Sequence, residues 1–187
     1  MVLDILLLLI IVGLAALCTA EGLIRSAVML IGFYLLCIIV GMLIAGLNLA
    51  QLLGDAVIQS LSNAPRTPVF YQGLIFLVVL MPAWVILVVV ARMALQETSI
   101  KILAWGDNLL GALIGVLLGL VVASVICNAW GVFVAQRWQP DRTWLILRAA
   151  FEGSALRPYM MSVMRGYQRW LFPFAGTGYP VIFVPQG

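Results

Sequence analysis

WGDNLLGALIGVLLGLVVASVICNAW, residues 105–130, decides the fold of this chain. No charged residue falls between Asp107 and Arg137, and a bilayer core is crossed by about 20 apolar residues in a helix. Along the stretch every fourth position is small: Gly111, Gly115, Gly119, Ala123 and Cys127, with Gly131 continuing the row. Residues four apart lie on one face of a helix. In lipid, burying apolar surface against a neighbour brings little gain, so helices associate where small side chains let two backbones approach. One GxxxG is ordinary in a membrane helix, but a row this long in register predicts a packing seam. Gly106-Asp107-Asn108 opens the stretch and reads as a helix cap.

The composition around the stretch agrees. The 187 residues are 65% hydrophobic and 9% charged, with a mean hydropathy of +1.17, which lies outside the range of soluble domains. The expected class is an all-α integral membrane protein, and the length suits about four spans. The net charge of +3 is concentrated late in the chain, where Arg137, Arg142, Arg148, Arg157, Arg165 and Arg169 outweigh Asp141 and Glu152. Such a bias suits anionic lipid head groups, at about 1 kcal/mol per basic residue near the surface. The arginines are interleaved with Trp, Leu and Met rather than clustered, which argues against nucleic acid.

Histidine is absent, which removes His-ligated haem, zinc sites using His and nucleophilic mechanisms that need an imidazole base. The acids are scattered singly. The expectation is therefore a protein that is not an enzyme, with no catalytic, cofactor or metal residues and no soluble small-molecule substrate. Cys18, Cys37 and Cys127 fall within apolar stretches, where a thiol behaves as a small hydrophobe.

Taken in order, the chain opens with Asp4 at the lip of an apolar run over residues 5–19. The start lacks the basic residues of a secretory signal, so the run is expected to be a retained first span, with Asp4 as its cap. Residues 20–26 form a connection short enough to make spans one and two antiparallel neighbours. Glu21 and Arg25, four apart, either pair along a continuing helix or stand as two interfacial charges in a tight turn. Span two covers residues 27–47. Over residues 48–62, Leu49, Leu52, Leu53, Ala56, Val57 and Leu61 recur at three and four with Gln51, Asp55 and Gln59 between them, predicting an amphipathic helix. A loop over 62–68 follows.

Span three is expected over residues 70–91, with Pro82 freeing the carbonyl of Val78 and bending the helix. Span four runs from 105 to 134. Beyond it, Leu156, Tyr159, Met160, Val163, Tyr167, Trp170 and Leu171 recur at helical spacing with Arg157, Arg165 and Arg169 between them. That pattern predicts a C-terminal interfacial helix over 154–171 with Arg157, Arg165, Arg169 and Trp170 at the membrane surface. The prolines from Pro173 onward predict an extended, docked tail. The division expected is residues 1–134 as a four-helix transmembrane bundle and 135–187 as interfacial helix plus tail. Arg66, Arg137, Arg142 and Arg148 on one side nearly balance Arg25, Arg92 and Lys101 on the other, so basic residues set no orientation.

Several of these residues, in their order, resemble the colicin V production protein (CvpA) family: Asp4 opening span one, Gly22-Leu23-Ile24-Arg25-Ser26, the run from Asp107-Asn108-Leu109-Leu110-Gly111 to Gly119, and Ser154-Ala155-Leu156-Arg157-Pro158. The resemblance covers nearly the whole chain. It departs where family members commonly carry Arg-Gly and then an acid in the next turn, since Arg25-Ser26 and Met29 stand here. The resemblance implies a four-span protein of the bacterial inner membrane, linked to toxin production or export and to envelope homeostasis. The competing expectation is an accessory subunit of a larger respiratory or photosynthetic complex, packed against other membrane subunits through the glycine seam and the tail. Glu21, Arg25 and Asp107 are the interfacial charges to follow, and the lipid bilayer is the first partner.

Overall fold

In lipid a backbone must satisfy its polar groups within its own segment, and for long apolar stretches the helix does this. The computed structural model describes residues 2–46, 68–95, 104–135, 137 and 141–175. Among them the elements are α1 (Val2–Gly46), α2 (Pro68–Ala94), α3 (Ala104–Ala135), α4 (Asp141–Glu152) and α5 (Arg157–Ala175). Among the described residues three helices are long and apolar enough to cross a membrane: Val2–Ile44 within α1, Gly73–Ala94 within α2 and Trp105–Ala135 within α3. The expected amphipathic helix over 48–62, the loop over 62–68 up to its last residue, Pro68, which opens α2, and the tail beyond residue 175 lie outside the described residues.

α1 is interrupted at one residue. Gly22 has φ 78° and ψ 179°, a region open essentially only to glycine. Residues eight apart in a straight helix are separated by about 12 Å, whereas the Ser26 hydroxyl donates to the Cys18 carbonyl at 3.0 Å. The helix therefore folds sharply at Gly22, giving a first arm of residues 2–21 and a second of residues 23–46. The connection expected over 20–26 is compressed into that single glycine, with helix on both sides.

Leu14 and Cys18 of the first arm share one core with Met29, Phe33, Cys37 and Val40 of the second, Ile75, Phe76 and Leu80 of α2, and Leu118, Val122 and Val125 of α3. The second arm meets α2 where a Cβ on Gly32 would touch the Leu87 side chain, and where Phe33 and Trp84 pack edge to face with centroids 5.6 Å apart. α2 continues as helix through Pro82. The outward faces are apolar: Ile5, Leu9 and Val12, then Val85 and Ile86, then Leu109 and Leu113, are all exposed, as lipid contact requires.

The C-terminal region differs from the expectation in three ways. It holds two helices, α4 and α5, with residues 153–156 as a turn between them. α5 starts at Arg157 and runs through Pro173 to Ala175; proline's fixed φ is compatible with a helix, while its ring removes one backbone bond and crowds the preceding turn. Its apolar side also faces inward: Met160, Met161 and Met164 are buried, and Tyr167 meets Tyr34 edge to face at 6.0 Å. Among its described side chains, the exposed aromatics are Tyr159 and Trp170.

Candidate functional site

Polar groups gather in two layers at opposite ends of the first arm. At the first layer four helix ends converge, and each needs partners for orphan backbone groups. Asp107, in the first turn of α3, accepts the Leu23 N–H at 2.9 Å and so caps the second arm across a separation of 84 residues. One carboxylate thereby serves two helix N-termini, where negative charge is favoured. α3 begins before Gly106, so Asp107 lies inside it and does not form the preceding cap expected from the sequence. The Ser26 hydroxyl contacts both the Cys18 carbonyl and the Gly22 carbonyl, the latter at 2.6 Å, occupying acceptors that the break sets free.

Glu21 completes this layer. Its two carboxylate oxygens receive Arg25 at 2.9 Å and Arg92 of α2 at 2.6 Å. The Arg25 guanidinium also donates from Nε and Nη2 to the Leu95 carbonyl, at 2.9 and 2.5 Å, placing a cation at the C-terminus of α2. Of the two readings left open for Glu21 and Arg25, the structure has the pair, formed across the break.

At the second layer Asp4 accepts the Ser154 hydroxyl at 2.7 Å and the Leu156 N–H at 3.1 Å, tying the start of α1 to the α4–α5 turn. The indole N–H of Trp130 donates to the Leu147 carbonyl at 3.2 Å, and that of Trp144 to the Val134 carbonyl at 3.1 Å, fastening α4 to the end of α3. Arg148 binds Glu152 at 2.7 Å and lies over the Trp144 ring. The Arg157 guanidinium sits 4.4 Å from the centroid of the Phe151 ring. Farther along α5 the Tyr34 hydroxyl donates to the Trp170 carbonyl at 2.8 Å. Burial, reinforced by Cys37, pushes the Tyr167 hydroxyl well above its ordinary pKa, so it stays a neutral phenol.

The glycine row connects the layers. A Cβ on Gly111 would meet the Cys18 carbonyl oxygen at 2.5 Å. One on Gly115 would meet the Ala15 Cα at 2.8 Å, and one on Gly119 the Ile11 Cα at 2.8 Å. The neighbour is the chain's own first arm, so this part of the ridge is not open to another subunit. Ala123 and Cys127 are buried with Leu3, Leu7 and Phe151, and Gly131 lines a cavity beside α4. Glu21, Arg25 and Asp107 are thus brought into one layer, while Arg157 stands at the other and Arg165, Arg169 and Trp170 lie exposed on α5.

Sequence reasoning assigned no contact to Ser26, Arg92, Ser154, Trp130 or Trp144, although Ser26 and Ser154 stand within the motifs that carry the family resemblance. The first four had one usable signal in common, a polar or amphipathic side chain within a few residues of a predicted helix end. Among the described residues no group of three or more His, Cys, Asp or Glu side chains comes together to hold a metal ion. A family model described as colicin V production protein matches residues 3–165 of the chain. No curated protein and no solved structure matches it.

Proposed function

The chain belongs to the colicin V production protein family, and from that premise we propose a four-crossing scaffold of the bacterial inner membrane that supports export or envelope homeostasis without catalysing a reaction. Four crossings follow from reading the arms of α1 separately. A straight helix of 43 residues would extend about 65 Å, roughly twice the 30 Å hydrocarbon thickness. Each arm alone is close to the length one crossing needs. Asp4 and Glu21, seventeen positions apart, are separated along the first arm by about 25 Å, which suits polar layers at the two lips of a bilayer.

The observation that carries the scaffold reading is the use made of the acids in the bundle. Glu21 is held between Arg25 and Arg92, Asp107 holds a helix start and Asp4 holds the α4–α5 turn. Pathways for ions or protons place ionisable groups along the span; here these acids lie at helix ends and maintain the fold. With Gly111, Gly115 and Gly119 packed against the first arm, an accessory-subunit role would have to use another surface than the seam.

The test separates charge from shape. Asp4→Asn and Asp107→Asn keep an oxygen acceptor for Leu156 and Leu23 while removing the charge, at a cost of about 0.3–1 kcal/mol for a helix-end interaction. In a strain lacking the protein, both variants should restore dye exclusion by the envelope to the wild-type level when protein amounts are matched. Failure of either variant at normal protein level and normal thermal stability would mean that the acid takes part in chemistry, and would overturn the scaffold reading.

A further inference from the structure

We infer that the α4–α5 turn holds a discrete binding site for the phosphate of an anionic phospholipid, formed by Arg157 and Arg165. The inference rests on the membrane reading above. A cleft of about 320 Å³ is lined by Glu152, Ser154, Arg157, Pro158, Met161 and Arg165. Arg157, Met161 and Arg165 are spaced by four and share one side of α5.

The charge of the cleft is not balanced from within. Glu152 is matched by Arg148 at 2.7 Å, and the Ser154 hydroxyl is committed to Asp4. Arg157 and Arg165 have no carboxylate partner among the described residues. The half-buried Arg157 lies over the Phe151 ring, and a guanidinium stacked this way keeps its edge donors available for a phosphate.

The second observation is apolar surface beside these cations in the same cleft, contributed by Pro158 and Met161. Arg157 also lines a neighbouring cavity of about 230 Å³, whose walls combine Gly131, Val134, Trp144 and Phe151 with the paired Arg148 and Glu152. Gly131 contributes no side chain there, which leaves room at the end of α3. A ligand carrying both a phosphate and a hydrocarbon chain uses the cations and the apolar wall of Pro158 and Met161 together, whereas free phosphate would use only the cations. A lipid is therefore the occupant that uses both surfaces, and a phosphodiester with a net negative charge is the head group that Arg157 and Arg165 select.

Native mass spectrometry of the full chain released from detergent counts the lipids retained. One phosphatidylglycerol should remain bound at matched lipid concentration in preference to phosphatidylcholine. The double variant Arg157→Gln with Arg165→Gln should weaken that retention on the order of tenfold, and Arg165→Gln alone, at an exposed position outside the packing, should weaken it partially. The distant pair Arg137→Gln with Arg142→Gln should leave it unchanged. Millimolar inorganic phosphate should fail to displace the lipid. Equal retention by the wild type and both α5 variants would overturn the inference, as would equal binding of the two lipids or ready displacement by phosphate. None of these results would alter the dye-exclusion outcome for Asp4→Asn and Asp107→Asn, so the two readings fail separately.

Discussion

Gly115→Ile combined with Gly119→Ile should give a protein that inserts in the membrane but does not assemble its bundle. A Cβ at Gly115 would lie 2.6 Å from the Cys18 Cβ and 2.8 Å from both the Ala15 Cα and the Leu14 carbonyl oxygen, and one at Gly119 would lie 2.8 Å from the Ile11 Cα. Most of these obstacles are backbone, which cannot swing aside as the end of a long side chain can. Overpacking costs about 1–3 kcal/mol where neighbours can adjust, so two such positions on one rigid arm should exceed that range. In lipid the separated helices lose dispersion contacts but gain no hydrophobic penalty, so the first arm should part from α3. Insertion should improve slightly, since isoleucine favours the bilayer centre. Val116→Ala with Leu117→Ala, at exposed positions of the same turn, is the control. The checking measurement is thermal unfolding of purified protein together with its amount in membranes. Equal unfolding temperatures for the glycine pair and the control would place the seam against lipid and refute the packing.

Gly22→Ala is expected to be strongly destabilising for the addition of a single methyl. At φ 78° and ψ 179° a side chain costs about 1–3 kcal/mol in backbone strain. The new Cβ would also run into the Asp107 carboxylate, with the Asp107 Cγ only 3.1 Å away. Moving that carboxylate releases the Leu23 N–H, and loss of a helix cap adds about 1 kcal/mol. Gly13→Ala provides the comparison, because nothing lies within 4 Å of a Cβ there. In a regular helix that exchange should stabilise by up to about 1 kcal/mol. The two alanine variants should therefore move the unfolding temperature in opposite directions. If Gly22→Ala unfolds with Gly13→Ala, the break at Gly22 does not hold the arms.

The parts legible in the sequence were those governed by local spacing. The four-residue row from Gly111 to Gly119 announced a close helix contact, since the steric requirement is repeated each turn. The spacing of Glu21 and Arg25 allows a pair but does not distinguish it from two interfacial charges in a turn. What spacing does not carry is the identity of a partner distant in the chain. Nothing near Asp107 indicates that its carboxylate reaches Leu23, nor near Asp4 that it receives Ser154, 150 residues away.

The sequence suggests a longer connection between the arms than the single residue Gly22, because a tight reversal leaves carbonyls and amides unsatisfied. Ser26 and Asp107 satisfy them, and that compensation appears only in three dimensions. The apolar side of α5 was likewise periodic in the sequence, but periodicity does not distinguish a face against lipid from one against the chain's own helices. Met164, fully buried near Ser124, resolves that choice toward the bundle.

The reversal at Gly22 is the claim on which the crossings of the chain depend, and single-cysteine labelling from one face of sealed membranes tests it most directly. With Cys18, Cys37 and Cys127 replaced by alanine, cysteines would be placed one at a time at Val2, Ala20, Trp105 and Arg165, all exposed positions. The fold places Val2 and Arg165 with the Asp4 layer, and Ala20 and Trp105 with the Asp107 layer. A membrane-impermeant maleimide should label the first two from one face and the second two only from the other. An Ala20 cysteine that reacts from the same face as Val2, or that remains unreactive from both faces as in the middle of one straight helix, would contradict the reversal.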